Sequence, residues 1–232
     1  MIFDFTPGWN SGLFSLAARR EGLIILHESG EIWTSDGTAA NTRRAATIEG
    51  LSNAAAPVAV GSLVFFLGHS NTQGWMLART DGTPHGTFVV SPLSLSGWRT
   101  VSAANLLYFQ TGTDQWWRSD GTAAGTFPVA YTGVYALSAA AIGDTLFFAK
   151  CEWSFGCELW RSDGTSSGLA VDLEPGPDSS SPYALSAVGS TLYFATHPAR
   201  RLADRWDARR NDARHVRRLG DPDAVSVHAG VR

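Results

Sequence analysis

Four aspartates recur in one local setting, and their type and spacing are the first feature of the sequence that suggests chemistry. They lie in Trp33-Thr-Ser-Asp36-Gly37-Thr38, Ala78-Arg-Thr-Asp81-Gly82-Thr83, Trp117-Arg-Ser-Asp120-Gly121-Thr122 and Trp160-Arg-Ser-Asp163-Gly164-Thr165. Repeated carboxylates could serve acid–base catalysis or calcium. Catalysis uses only one or two such groups, however, and Ca²⁺ needs several oxygens converging on one point. Recurrence in every unit points to a turn instead. An Asp carboxylate accepts hydrogen bonds from backbone N–H groups two residues on, Gly takes the left-handed conformation, and Thr adds a hydroxyl bond. Asp36, Asp81, Asp120 and Asp163 are therefore expected to be structural turn residues, with Ca²⁺ binding as the alternative and no other cofactor or metal implied.

Two cysteines bracket a variable loop, Cys151-Glu-Trp-Ser-Phe-Gly-Cys157. Antiparallel neighbours there would fall within the roughly 4.4 to 6.8 Å Cα separation that a disulfide needs. A Cys151–Cys157 bridge in an oxidising compartment is expected, against two free thiols. A zinc site would need further ligands, and no His pair is suitably spaced.

Trp33, Trp117 and Trp160 stand one strand length before the turn, where a large ring can fill space between sheets; exposed rings stacking on sugars are the rival reading. Trp9, Trp75, Trp98, Trp116 and Trp153 fall outside that position. Trp153, Trp116 and Trp75 are the ligand-binding candidates, and Trp153 lies in the variable loop. Signatures of catalysis are missing: there is no Gly-x-Ser-x-Gly elbow, His-Glu-x-x-His helix, phosphate loop or Rossmann glycine run. The six histidines, at 27, 69, 85, 197, 215 and 228, are scattered. No catalytic residue is assigned.

The elements that position these residues follow from the spacing. Successive marker aspartates are 45, 39 and 43 residues apart, close to the roughly 40 to 45 residues of a four-stranded propeller blade. Each unit reads as a strand, a tight turn such as Gly61-Ser62, Gly143-Asp144 or Gly189-Ser190, an apolar strand, a variable loop, the marker strand, the Asp-Gly-Thr turn and a fourth strand. Gly supplies positive φ in such hairpins. Four short strands per unit leave no room for crossover helices. A single sheet cannot bury both faces, so sheets must stack. The expected fold is all-β, a β-propeller-like array of four-stranded antiparallel blades, about five units with the terminal ones incomplete.

Charge narrows the partners. Residues 1–198 carry 9 basic and 16 acidic side chains, whereas 199–232 carry 9 and 5. An acidic body argues against phosphate-backbone binding, so no nucleic-acid partner is expected. No apolar stretch is long enough for a membrane span, and the first residues lack a basic region followed by an apolar one.

The run Glu158-Leu-Trp-Arg-Ser-Asp-Gly-Thr165, followed by Val171-Asp-Leu-Glu-Pro-Gly176 and Ser179-Ser-Ser-Pro182, resembles the ELWxxDGT-repeat proteins of bacteria, often labelled hyalin-like. The resemblance covers about residues 1–198. It implies an exported protein, extracellular or on the cell surface, with an undefined activity. The second unit departs from the pattern with Met76-Leu77-Ala78 in place of the Glu-Leu-Trp. Asp4-Phe-Thr-Pro-Gly8 matches Asp172-Leu-Glu-Pro-Gly176, so the sequence opens at the end of a fourth strand, as a shared blade or a fragment would.

The expected domains are the repeat body, 1–198, and an atypical basic tail, 199–232. A fifth marker aspartate is due near position 205. Back-translated with suitable codons and read one base later, Leu202-Ala-Asp-Arg-Trp-Asp-Ala-Arg-Arg-Asn211 can give WRTDGTREGT, and the single Trp206 codon before Asp207 forces the glycine. Residues of about 199–212 thus read as a frameshifted blade strand. Arg214-His-Val-Arg217 and Ala224-Val-Ser-Val-His-Ala-Gly230 resemble a fourth strand and the first strand of a further unit. The alternative is a true Arg-rich tail. The function expected is a non-enzymatic scaffold binding a protein or glycan partner, with a lectin-like propeller and a propeller hydrolase or lyase as alternatives.

Overall fold

The computed structural model describes residues 14–93, 99–111, 115–131, 138–196 and 224–228. Asp4–Gly8, Trp9, Trp98, residues 199–212 and Arg214–Arg217 lie outside them. The described residues form five antiparallel sheets, each built from strands consecutive in sequence. The first contains β1 (Phe14–Arg19), β2 (Gly22–His27), β3 (Glu31–Ser35) and β4 (Arg43–Thr47). The second contains β5 (Ser52–Val60), β6 (Leu63–Ser70), β7 (Gly74–Thr80) and β8 (Phe88–Pro92). The third contains β9 (Arg99–Ser102), β10 (Leu107–Thr111), β11 (Gln115–Ser119) and β12 (Phe127–Tyr131). The fourth contains β13 (Ala139–Ile142), β14 (Thr145–Glu152), β15 (Gly156–Ser162) and β16 (Ser167–Val171). The fifth contains β17 (Tyr183–Val188), β18 (Thr191–Ala195) and β19 (Ala224–His228).

This is an all-β, propeller-like succession of blades. One expectation changes: Ala224–His228 does not open a further unit but pairs antiparallel with β18, with Val225 opposite Phe194. The apolar β18 edge has a ladder of unpaired backbone groups to satisfy, and a β-branched segment meets that demand.

The chain divides into two compact units, Met1–Gly112 with Arg118–Phe127, and Thr113–Trp117 with Pro128–Arg232. In the first unit, β5 packs against β1 and β2, and β9 packs against β5. Ala17, Ile24, Leu26 and Ile32 of the first sheet form one core with Ala54, Val64, Phe66, Met76 and Ala78 of the second. In the other unit, β17 packs against β13 and β14, and Phe147 and Leu159 share a core with Leu185, Leu192 and Phe194. Each sheet is thus buried by its neighbour, as the inability of one sheet to cover its own faces requires.

Two backbone irregularities repeat. The marker strand meets its outer neighbour across a register shift between Ile32 and Trp33, between Leu77 and Ala78, and between Leu159 and Trp160. The inner strands β5 and β17 each shift register and carry two left-handed non-glycine residues three apart, Asn53 and Ala56 in one and Ser181 and Ala184 beside or within the other.

Candidate functional site

Each of the first four sheets has two ends of different character. At one end lie the inner turns and the Asp-Gly-Thr turns, alike from blade to blade. At the other lie the hairpins joining the second and third strands, which differ in every blade.

At the constant end the marker aspartates make the same bonds. Asp36, Asp81, Asp120 and Asp163 each accept through Oδ1 from the N–H and the hydroxyl of the Thr two residues on, at 2.7 to 2.9 Å. The residue before each aspartate, Ser35, Thr80, Ser119 or Ser162, accepts from the glycine N–H through its hydroxyl. In three blades a threonine closes the network. Thr42, Thr87 and Thr126 donate to the carbonyl of the marker Thr, so that Ser35, Thr80 and Ser119 donate to them at 2.7 Å. In the fourth blade Leu169 stands there, and Ser162 donates to the Ser166 carbonyl in a tighter turn. The Ser/Thr before Asp and the Thr six residues after it are a paired signal that the sequence reading passed over.

These bonds favour the ionised carboxyl. Thr38 and Asn41 hydroxyl and amide groups hold Asp36 below the usual range, and the Ser166 and Thr165 N–H groups hold Asp163 further below it. At Asp81 and Asp120 burial pushes upward, and the bonds from Thr83 and Thr122 outweigh it. Among the described residues no group of three or more His, Cys, Asp or Glu is placed to hold a metal ion.

The glycine in the marker has a neighbour as well as a conformation. Gly82 has φ of +84°, and a Cβ there would meet Arg19 Nη2 at 2.6 Å and Thr34 at 3.1 Å. Arg19 donates to the carbonyls of Ser62 and Asp81 from the preceding blade. Gly121 likewise seats Arg79, whose Nη1 lies 2.8 Å from that Cβ position. The glycine five residues after the aspartate lies against its carboxylate: a Cβ on Gly86 would be 2.0 Å from the Asp81 carboxyl. In the first blade Asn41 holds this place and donates to Asp36 Oδ2 at 2.6 Å. Gly86→Ala is therefore expected to cost about 1 to 2 kcal/mol by displacing the carboxylate from its donors. Gly86→Asn should cost less than half as much, and urea denaturation of both variants measures the difference.

At the variable end the fourth blade is distinctive. Cys151 and Cys157 are direct cross-strand partners and form a disulfide, with Cα atoms 3.8 Å apart. The bridge is the one expected from sequence, with its Cα atoms closer than the expected range. The second blade has a hairpin of the same register without cysteines: His69 pairs with Trp75, ring edge to face at 5.3 Å. The ladder thus forms without a disulfide, and the bridge braces what the hairpin carries.

It carries Trp153, 99% exposed. Behind it, Phe155 meets Trp160 edge to face at 6.4 Å, and Lys150 Nζ lies 4.2 Å over the Trp160 ring while pairing with Glu152. The base of the hairpin is anchored to the connector that follows β16. Cys157 N–H donates to Ser179 Oγ at 2.9 Å, and Ser181 N–H donates to the Cys157 carbonyl at 2.8 Å. Glu158, 0% exposed, accepts from Leu173 N–H, Ser180 N–H and the Ser180 hydroxyl at 3.0, 2.8 and 2.6 Å. Burial pushes its carboxyl above the usual range, against these bonds, and Asp172 adds to the rise.

No family model matches the chain, and no curated protein does. Solved structures resemble it at low identity. The designed protein Ika8 is 9% identical, covers 92% of this chain and has a TM-score of 0.48. A putative TolB from Agrobacterium tumefaciens is 12% identical over 84% of this chain, with a TM-score of 0.47. BamB from Moraxella catarrhalis is 16% identical over 81%, with a TM-score of 0.43. This chain spans 57% of Ika8, 73% of the TolB chain and 56% of BamB.

Of the three tryptophans singled out as ligand candidates, the structure separates one from the others. Trp153 is free in solvent, and Trp75 is half-buried against His69. Trp116 is a correction: it is 2% exposed and inaccessible to a ligand. It occupies the position four residues before the marker aspartate, where Ile32, Leu77 and Leu159 are also buried. Of the marker tryptophans, Trp160 is buried, while Trp33 and Trp117 are half-buried. Serine at both cysteines is expected to lower stability by about 2 kcal/mol, the loop-closure value for so short a ring. Differential scanning calorimetry of Cys151→Ser/Cys157→Ser against the parent reads it.

Proposed function

We propose that this chain is a non-enzymatic binding scaffold, with its contact surface on the variable ends of the sheets and Trp153 as its principal contact. The supporting observation is the wholly exposed Trp153 on a tip braced by a disulfide and by the connector. Burying a Trp contributes more apolar area than almost any other side chain. Holding one in water on an ordered tip keeps that area, and little entropy to lose, for a partner. The disulfide fits the proposed extracellular or cell-surface location.

A neutral glycan is the second reading. Glu152 and Ser154 flank the Trp153 ring with groups able to bond hydroxyls, while the acidic body disfavours anionic ligands. A printed glycan array tests it. The glycan reading expects binding to neutral sugars that falls at least tenfold in Trp153→Ala at unchanged melting temperature. If Trp153→Ala binds glycans as the parent does, that reading is wrong. Bound protein that cross-links through other residues and ignores the same substitution would remove Trp153 from the scaffold reading too.

A further inference from the structure

The fifth sheet departs from the others on its marker side. In blades one and two, the side chain after the marker position packs on the next blade: Thr34 lies against Gly82, and Arg79 against Gly121. Arg161 is the same residue of the fourth blade, and it is exposed. Its neighbour, the fifth sheet, contains β17, β18 and β19, and β19 places Val225 opposite Phe194 with no Asp-Gly-Thr after it.

The register says where the marker belongs. Ile25, Phe66 and Phe148 lie three residues beyond the first residue paired across the inner turn, and opposite them stand Trp33, Ala78 and Trp160. Phe194 is the corresponding residue of β18, three beyond Thr191. The second and fourth blades place the marker residue twelve residues on, and the first blade eight, with Trp33 following Ile25. Eight residues on from Phe194 is position 202, and twelve on is position 206, where Trp206 stands in the frame as it is. The reading of this segment one base later puts its tryptophan at position 202 and its aspartate at 205.

With the codons that spell WRTDGTREGT, the hidden segment can also supply the other residues of the turn. It has a hydroxyl residue before the aspartate, as at Thr80. It has glycine five residues after, as at Gly86 and Gly125, where a Cβ would lie 2.0 to 2.1 Å from the marker carboxylate. It has threonine six after, as at Thr87 and Thr126, which close the turn. We propose that the β18 edge and Arg161 are the seat of a fifth marker strand and Asp-Gly-Thr turn, encoded one base out of register through about 199–212. β19 is a surrogate on that edge.

The test compares the full chain, the full chain with residues 202–211 replaced by WRTDGTREGT, and one with those ten residues scrambled. The repaired chain is expected to melt roughly 5 °C or more above the other two, as gain of a packed hairpin implies. Arg161→Ala should then lower the melting temperature of the repaired chain and leave the present chain unchanged. No rise over the scrambled control, or an equal effect of Arg161→Ala in both backgrounds, overturns the proposal. So does a gene sequence whose codons, read one base on, lack Trp-x-Thr-Asp-Gly-Thr.

Discussion

Trp116→Ala is expected to destabilise the protein by roughly 4 kcal/mol, the usual cost of removing a buried Trp and leaving a cavity. The ring is 2% exposed, so little relaxation into solvent can offset the loss. Trp153→Ala should change stability by less than about 0.5 kcal/mol, because a 99% exposed ring has no packing to lose. Chemical denaturation of the two variants side by side reads the contrast. Similar losses in both would contradict the division of the tryptophans into a core member and a surface contact.

The second large effect is expected at Glu158. Glu158→Ala leaves Leu173 N–H, Ser180 N–H and the Ser180 hydroxyl without their acceptor. With about 1 to 3 kcal/mol for each buried orphan and partial relaxation of the connector, a total near 3 kcal/mol is expected. Glu158→Gln keeps one acceptor and removes the buried charge, so it should cost less. The pH dependence distinguishes the two roles. Because the folded carboxyl titrates above its ordinary value of 4.5, its favourable contribution is complete below that value and is lost as pH rises through the folded pKa. The marker aspartates act oppositely: their contribution is present above the ordinary 3.8 and is lost as pH falls toward their depressed values. Melting temperature should therefore peak in mildly acidic solution, and Glu158→Gln should flatten only the alkaline side of that peak.

The blade arrangement was legible because the marker turn repeats, and a turn is a local object: donor, acceptor and glycine lie within seven residues. The four aspartates could therefore be weighed from sequence alone. Trp116 could not. Alternation separates a wet face from a dry one, but a sheet covered on both faces buries adjacent positions, so Trp116 and its neighbour Trp117 are both removed from water to different degrees. Comparison with Ile32, Leu77 and Leu159 would have placed it. The role of Glu158 was hidden for another reason. Its donors lie 15 and 22 residues away in a connector with no periodic pattern, and only the fold brings them back. The resemblance drew attention to both the Glu-Leu-Trp and the Ser-Ser-Ser-Pro runs without showing that one grips the other.

The paired left-handed residues of the inner strands have a consequence for association between molecules. β5 and β17 are the edge strands of their sheets, and an edge strand with a regular ladder invites another chain to pair with it. Asn53 with Ala56, and Ser181 with Ala184, twist the backbone out of that regular spacing twice within four residues. An approaching strand finds no uninterrupted row of donors and acceptors to match. At these two edges the backbone itself hinders the strand addition from which a fibre grows.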